Sequence, residues 1–170
     1  MSRIAGIYWD DTAAAPGVSL SVYFSGCHFH CPGCHNPEAQ DFEYGEVFDK
    51  QTACHISSML NKNGVERKLS ILGGEPLTDE NLFAVSLLID ICKFDHPDLK
   101  IYIWTGYLYE DLLERKNQPS FEGQLLTNIL NKVDCIIDGP YIADKRDITL
   151  PLRGSSNQRI IYMEKNDVDN

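Results

Sequence analysis

Residues 27 to 34 read Cys27-His28-Phe29-His30-Cys31-Pro32-Gly33-Cys34, a stretch in which three cysteines stand at steps of four and three residues. Its proline and glycine disfavour a continuous helix or strand, so the stretch predicts a tight loop. A loop can direct three thiols at one centre. Three thiolates bind three irons of a cubane [4Fe-4S] cluster and leave the fourth iron open, whereas electron-transfer cubanes have four cysteine ligands. The stretch therefore predicts metal ligands at Cys27, Cys31 and Cys34, with an open iron that can bind a small molecule.

A structural zinc site is the alternative interpretation of the same cysteines. A closed zinc site needs four ligands, and His28, His30 or His35 could supply the fourth. That interpretation leaves a second unusual stretch unexplained, Ile71-Leu72-Gly73-Gly74-Glu75-Pro76. Its glycine pair lacks β-carbons, so a ligand can approach the backbone closely, although a tight strand-to-helix turn accounts for the pair as well.

Composition indicates one globular domain over residues 1–170, with a core at about 18–163. Of the 170 residues, 43% are hydrophobic and 24% are charged, which is ordinary for such a domain. The net charge of -10 argues against non-specific binding to nucleic acid or to an anionic membrane. No apolar run approaches the roughly 20 residues of a membrane span, and no secretory signal follows Met1. We therefore expect a cytoplasmic protein with no nucleic-acid or membrane partner.

The remaining three cysteines are scattered along the chain. Cys92 and Cys135 lie in the apolar runs 87–92 and 133–137, and Cys54 stands apart from both. Cytosolic thiols stay reduced, so disulfide bonds are not expected. We predict all three as small core residues.

Hydrophobic periodicity predicts strands that alternate with helices after an irregular segment at 1–17. The expected strands are 18–24, 68–72, 99–104, 133–137 and 159–163. The expected helices are one at about 49–61, one that Thr78 or Asp79 caps and His96-Pro97 ends, and two shorter ones near 109–116 and 123–132. Connections are expected at 38–47 and 141–158, with a polar tail at 164–170. This alternation is typical of a parallel sheet with right-handed crossovers.

The unusual sequences all follow predicted strands. They are residues 26–34, 73–76, 105–107 and 138–140. In parallel α/β folds, ligands bind at the carboxyl ends of the strands. The sequence thus predicts one site at that end of the sheet.

The C-x3-C-x2-C spacing, followed by Gly73-Gly74-Glu75-Pro76, resembles the radical S-adenosylmethionine (SAM) enzymes. The resemblance implies an α/β fold, a partial, open (β/α) barrel of about five to six parallel strands in a chain of this length. It implies that the three cysteines hold one [4Fe-4S] cluster. It also implies that the protein binds SAM, with the SAM amino group held by residues 73–76, that is Gly73, Gly74, Glu75 and Pro76. SAM is then cleaved reductively. Because the cofactors carry the chemistry, no side chain is predicted as catalytic.

Gly33 departs from the pattern of this family, which usually has an aromatic residue packed on adenine just before the third cysteine. Main-chain groups of Gly33, Cys34 and His35 are the candidates for that contact here. Thr105 and Gly106, which follow a further predicted strand, are implied as cofactor contacts as well.

Within this family, residues 31–37 resemble the glycyl-radical-enzyme activases, and 104–107, 138–141 and 153–159 are similar to the activases that serve anaerobic ribonucleoside-triphosphate reductases. The resemblance runs from about Val18 to Arg159. It implies a glycyl radical placed on the large subunit of that reductase, and an electron donor such as a flavodoxin. Two alternatives remain. One is a radical SAM enzyme whose substrate is a small molecule, such as a deazapurine-forming synthase, and the other is a non-enzymatic iron–sulfur or zinc module.

Overall fold

The computed structural model describes residues 1–164, and the predicted polar tail lies outside them from residue 165 on. Within residues 1–164, seven strands form one sheet: β1 Arg3–Asp11, β2 Ser19–Phe24, β3 Glu46–Val47, β4 Lys68–Gly73, β5 Ile101–Trp104, β6 Cys135–Asp138 and β7 Arg159–Tyr162. The α-helices within this part of the chain are α1 Lys50–Met59, α2 Asp79–Asp95, α3 Tyr109–Lys116 and α4 Phe121–Lys132. The alternation of helices and strands that periodicity predicts between α1 and β6 is confirmed.

The sheet is mixed and open, with the order β3-β1-β2-β4-β5-β6-β7. The central strands β2, β4, β5 and β6 are parallel. Strands β1, β3 and β7 pair antiparallel at the two sides. The mixed α/β class is confirmed, whereas the expected five to six parallel strands are corrected to the four at the centre.

The strands at the two sides of the sheet, β1 and β7, differ from the prediction, each for a physical reason. Residues 3–11, expected to be irregular, form β1, whose pairing with β2 has register shifts between Ile4 and Gly6 and between Tyr8 and Asp11. Such irregularities interrupt the period-two pattern by which a strand is recognised. Strand β7 is antiparallel because residues 139–158 form no α-helix, and a parallel return needs a crossover, usually helical.

The two faces of the sheet are covered in different ways. Leu20, Ile71, Ile103 and Ile136 belong to the large core, with helix residues such as Leu88. On the opposite face, Tyr102, Cys135 and Ile137 pack against Ala15, Leu152 and Ile160. Loop residues therefore close this second face: Ser70 Oγ donates to the carbonyl of Ala14 at 2.8 Å, and Trp104 Nε1 donates to that of Leu152 at 2.8 Å.

The scattered cysteines divide into two kinds. Cys92 and Cys135 are buried, as predicted. Cys54 is exposed, so its assignment to the core is wrong. On α1 the buried face is taken by Ala53 and Ile56, and successive helix positions turn by about 100°, which directs Cys54 to solvent.

No helix in residues 1–164 is both long and apolar enough to cross a membrane.

Candidate active site

The cysteine loop begins where the pairing of β2 with β4 ends. Phe24 and Gly73 are the last paired residues of the two strands. The ladder continues past them, because the amide of Gly74 donates to the carbonyl of Phe24 at 2.7 Å and that of Glu75 donates to the carbonyl of Gly26 at 2.7 Å. The glycine-rich stretch and the start of the cysteine loop are thus held side by side by backbone hydrogen bonds.

The same loop is held from its other side by residues 38–42. The amide of Gly26 donates to the carbonyl of Ala39 at 2.8 Å, and that of Cys27 donates to the carbonyl of Gln40 at 3.0 Å. Gly26 has φ of +96°, and a β-carbon there would overlap the ring of Phe42. The loop therefore starts from a fixed position between two segments, which places Cys27 in the interior.

Two of the three histidines considered as zinc ligands make side-chain contacts with other polar residues. His28 Nε2 lies 2.9 Å from Glu80 Oε1 at the start of α2. His30 Nδ1 lies 3.0 Å from Gln40 Oε1. His35 alone of these histidines lines the cavity that the cysteines share.

A cavity of about 320 Å³ lies at the carboxyl ends of the parallel strands. Nine of the predicted site residues line this cavity: Cys27, Cys31, Cys34, His35, Gly73, Gly74, Glu75, Thr105 and Gly106. Gly33 and Pro76 do not line it. Four separate segments therefore meet around one space, as their shared position after strands implies.

The three cysteines of the loop are free thiols that share this cavity. Burial raises the pKa of the Cys27 thiol, while the amide of Phe29, which donates to its Sγ at 3.4 Å, acts in the opposite direction. Among residues 1–164, no three Cys, His, Asp or Glu side chains stand close enough together to hold a metal ion. Three thiols on one cavity fit the donor set of a cubane cluster, and binding requires the loop to draw their sulfur atoms together.

Glu75 connects the ends of β4 and β5. Its carboxylate is buried, with Oε1 accepting from the Leu77 amide at 2.8 Å and from Thr105 Oγ1 at 2.9 Å, and Oε2 accepting from the Gly106 amide at 2.6 Å. Burial raises the pKa of Glu75 to about 7, against the lowering effect of the hydrogen bonds from Gly106, Leu77 and Thr105. Both oxygens are committed to neighbouring loops, so Glu75 shapes the cavity wall.

Replacing Glu75 with glutamine is expected to remove a pH dependence of stability. The folded-state pKa of about 7 lies above the ordinary 4.5, so the stability that this group contributes at low pH is lost as pH rises through 7. Relative to Glu75→Gln, the wild type should lose about 2–3 kcal/mol of unfolding free energy between about pH 5 and about pH 8. Denaturant unfolding of both proteins at equal iron content measures this, and parallel pH profiles would contradict it. The test is the slope of unfolding free energy against pH. The absolute stability of Glu75→Gln is less informative, because the NH2 group of glutamine faces a hydrogen-bond donor at every pH.

Gly106 is required by packing between the cysteine loop and the loop after β5. A β-carbon at Gly106 would lie 2.7 Å from the ring of Phe29. That ring packs edge-on against Tyr107 with centroids 4.9 Å apart, and the guanidinium of Arg115 lies 4.3 Å from the Tyr107 centroid. Gly106 therefore has a structural role in linking α3 to the cysteine loop, and its contact with a cofactor stays a prediction.

The remaining wall of the cavity comes from the loop after β6, which is fastened to the segment before β7. Asn157 Nδ2 donates to the carbonyl of Pro140 at 2.7 Å, and Gln158 Nε2 donates to that of Gly139 at 3.1 Å. Beneath them, the buried Asp138 carboxylate accepts from the Tyr109 amide at 2.8 Å. These contacts give residues 138–141 a fixed conformation beside the thiols.

Comparison with known proteins bears directly on these segments. Residues 13–161 match the family described as 4Fe-4S single cluster domain. A protein of Pasteurella multocida is 33% identical over 91% of this chain and 93% of its own length, and one of Enterobacteria phage T4 is 33% identical over 91% and 90%. A protein of Escherichia coli K12 is 29% identical over 90% and 94%. Each is named an anaerobic ribonucleoside-triphosphate reductase-activating protein. The chain belongs to this family.

Membership of the activating proteins confirms the resemblance drawn from the sequence. The matched region begins before β2 and ends on β7, so it spans all four segments that meet at the cavity.

Several cavity residues of this activating-protein family member were not predicted individually. They are Tyr23, Phe29, Asn36, Gln40, Leu72, Trp104, Gly139, Pro140, Tyr141, Gly154 and Gln158. For the last five, the signal was present in the stretches 138–141 and 153–159. For Tyr23, Leu72 and Trp104, the signal was their position at strand ends.

Asn81 is a buried residue outside the cavity lining that no local sequence signal indicated. Its side-chain amide donates to the carbonyls of Ser25 and Glu75 at 2.9 and 3.1 Å and so joins α2 to both loops.

Proposed function

We propose that this chain is a radical SAM activating enzyme. It uses one [4Fe-4S] cluster to cleave SAM reductively and to generate a glycyl radical on the large subunit of an anaerobic ribonucleoside-triphosphate reductase. The observation that supports this most directly is that three free thiols and the glycine pair line one cavity, in a chain whose relatives are named activating proteins of that reductase.

In this proposal Cys27, Cys31 and Cys34 hold the cluster, and the backbone at Gly73 and Gly74 holds the amino-acid part of SAM. When bound, the cluster would supply the electron for cleaving SAM into methionine and a 5′-deoxyadenosyl radical, and that radical would take a hydrogen atom from the partner's glycine. Removal of a hydrogen atom needs no base. This agrees with Glu75, the buried carboxylate of the cavity, whose two oxygens are both occupied by other donors.

The partner and the setting follow from the same proposal. The large reductase subunit receives the radical, and a donor such as a flavodoxin supplies the electron. We place the protein in the cytoplasm, where its six free thiols stay reduced. The net charge of -10 favours a protein partner over nucleic acid or an anionic membrane.

Mixing the anaerobic, cluster-loaded protein with reductant, SAM and the reductase should produce a glycyl radical on the reductase. Electron paramagnetic resonance detects it. With deuterium at the target glycine, the label should appear in 5′-deoxyadenosine, because one atom passes directly between two carbons held in near-attack geometry.

Two results would contradict the proposal. An iron-free, zinc-filled protein with full activity would show that the cysteines form a zinc site. Absence of deuterium transfer, together with conversion of a small metabolite, would show that the cavity serves a small-molecule enzyme.

A further inference from the structure

The ring of Tyr141 lies beside Gly33 of the cysteine loop. A β-carbon at Gly33, where φ is +71°, would lie 3.8 Å from Cε1 of the Tyr141 ring. A β-carbon at Gly154 would lie 3.3 Å from Cδ2 at the opposite side of the same ring. The ring therefore lies between two residues without side chains, and it lines the candidate cavity.

The other aromatic rings of the cavity are engaged elsewhere. Tyr23 packs edge-on against Tyr8 with centroids 5.2 Å apart. Phe29 packs in the same way against Tyr107, and Trp104 is held by its hydrogen bond to the Leu152 carbonyl.

Tyr141 differs from these rings. Within residues 1–164 its ring makes no ring–ring contact and its hydroxyl makes no hydrogen bond. Its backbone, in contrast, belongs to the loop that Asn157 and Gln158 fasten. The ring is thus carried on a fixed loop while remaining available for a ligand.

We propose that Tyr141 stacks on the purine of SAM. This inference rests on the proposed function, that the cavity binds SAM. A purine has a π-face, and stacking on an aromatic side chain is favourable without any hydrogen bond to the base edge. Gly33 has no side chain to stack and does not line the cavity. The aromatic surface that Gly33 cannot supply is provided by Tyr141 on the loop after β6, which lines the same cavity as Gly73 and Gly74.

The test is ligand binding to the cluster-loaded protein, measured anaerobically by calorimetry without reductant, so that no turnover occurs. Tyr141→Ala should bind SAM and 5′-deoxyadenosine about tenfold more weakly or worse, the loss expected for one base–aromatic stack. Methionine, which has no purine, should bind both proteins equally. Tyr141→Phe should match the wild type, because the hydroxyl makes no hydrogen bond to the part of the chain that the structure describes. Tyr162→Ala, an exposed tyrosine on β7 outside the cavity lining, is the matched control.

Each outcome has one meaning. Failure of the wild type to bind SAM would overturn the proposed function, and the role of Tyr141 with it. Binding by the wild type and by Tyr141→Ala with equal affinity would overturn the Tyr141 inference alone. Equal weakening of SAM and methionine would also overturn it, since that marks a general disturbance of the site. If Tyr141→Ala loses iron or melts early, Tyr141→Leu replaces it, because leucine retains apolar volume without a π-face.

Discussion

Replacing Cys27, Cys31 or Cys34 with serine is expected to abolish the [4Fe-4S] cluster and all activation of the reductase. Wild-type protein reconstituted anaerobically should contain about four irons and four sulfides per chain, because three thiolates suffice to hold a cubane. Because a serine hydroxyl does not replace a thiolate, each substitution leaves a second iron of the cluster without a protein ligand. Iron and sulfide analysis, with visible absorbance, measures the loss. Cys31 and Cys34 are half-buried, so their substitutions disturb packing less than that of the buried Cys27.

Cys54→Ser is the matched control for this experiment. Cys54 is exposed on α1 and does not line the cavity, so its substitution should leave iron content unchanged. Cys92 and Cys135 are less suitable controls, because both are buried and a serine there would place a hydroxyl in the core. Retention of the full cluster in Cys34→Ser would remove that residue from the ligand set.

Gly74→Ala is expected to destabilise the fold and, with it, the cluster site. A β-carbon at Gly74 would lie 2.6 Å from the carbonyl oxygen of Gly26 and closer still to that of Ala39. Neither oxygen can withdraw without breaking the hydrogen bonds that hold the cysteine loop. The added methyl group should cost about 3 kcal/mol, the upper end for overpacking, and lower the melting midpoint by about 6–12 °C in a chain of this size. Circular dichroism and iron analysis of the same samples measure both effects.

Gly6→Ala is the control, because the nearest atom of the described residues to a β-carbon at Gly6 would be a Tyr8 ring atom at 3.8 Å. Its change in stability should stay within about 0.5 kcal/mol. A Gly74→Ala protein with wild-type melting and iron content would show that the contact between the two loops is not rigid. Since Gly74 is needed for packing, weaker SAM binding in a Gly74 variant would not by itself show that the ligand approaches there.

Much of the centre of the fold was predictable because the signals there are local. The amphipathic spacing of Ala53 and Ile56 predicts α1, and Asp49 begins that helix by accepting from the Thr52 amide at 2.8 Å. The alternating segment 99–104 identifies β5, the apolar run 133–137 identifies β6, and the short segment 68–72 before the glycine pair identifies β4. The bulged β1 and the antiparallel β7 were missed or misoriented, because pairing with a distant strand decides them and leaves no periodic trace.

By itself, the sequence determined the chemistry that the chain can carry: three thiols on one loop, a glycine pair after a strand, and four unusual segments that parallel strands must bring to one end of the sheet. Only the tertiary structure decided which structural role each of those residues has. Glu75 ties two strand ends together, Gly74 and Gly106 make room for neighbouring loops, and Tyr141 stands beside Gly33. The physical reason is that burial, hydrogen bonding and steric contact depend on which distant segments meet, and local sequence does not specify those partners.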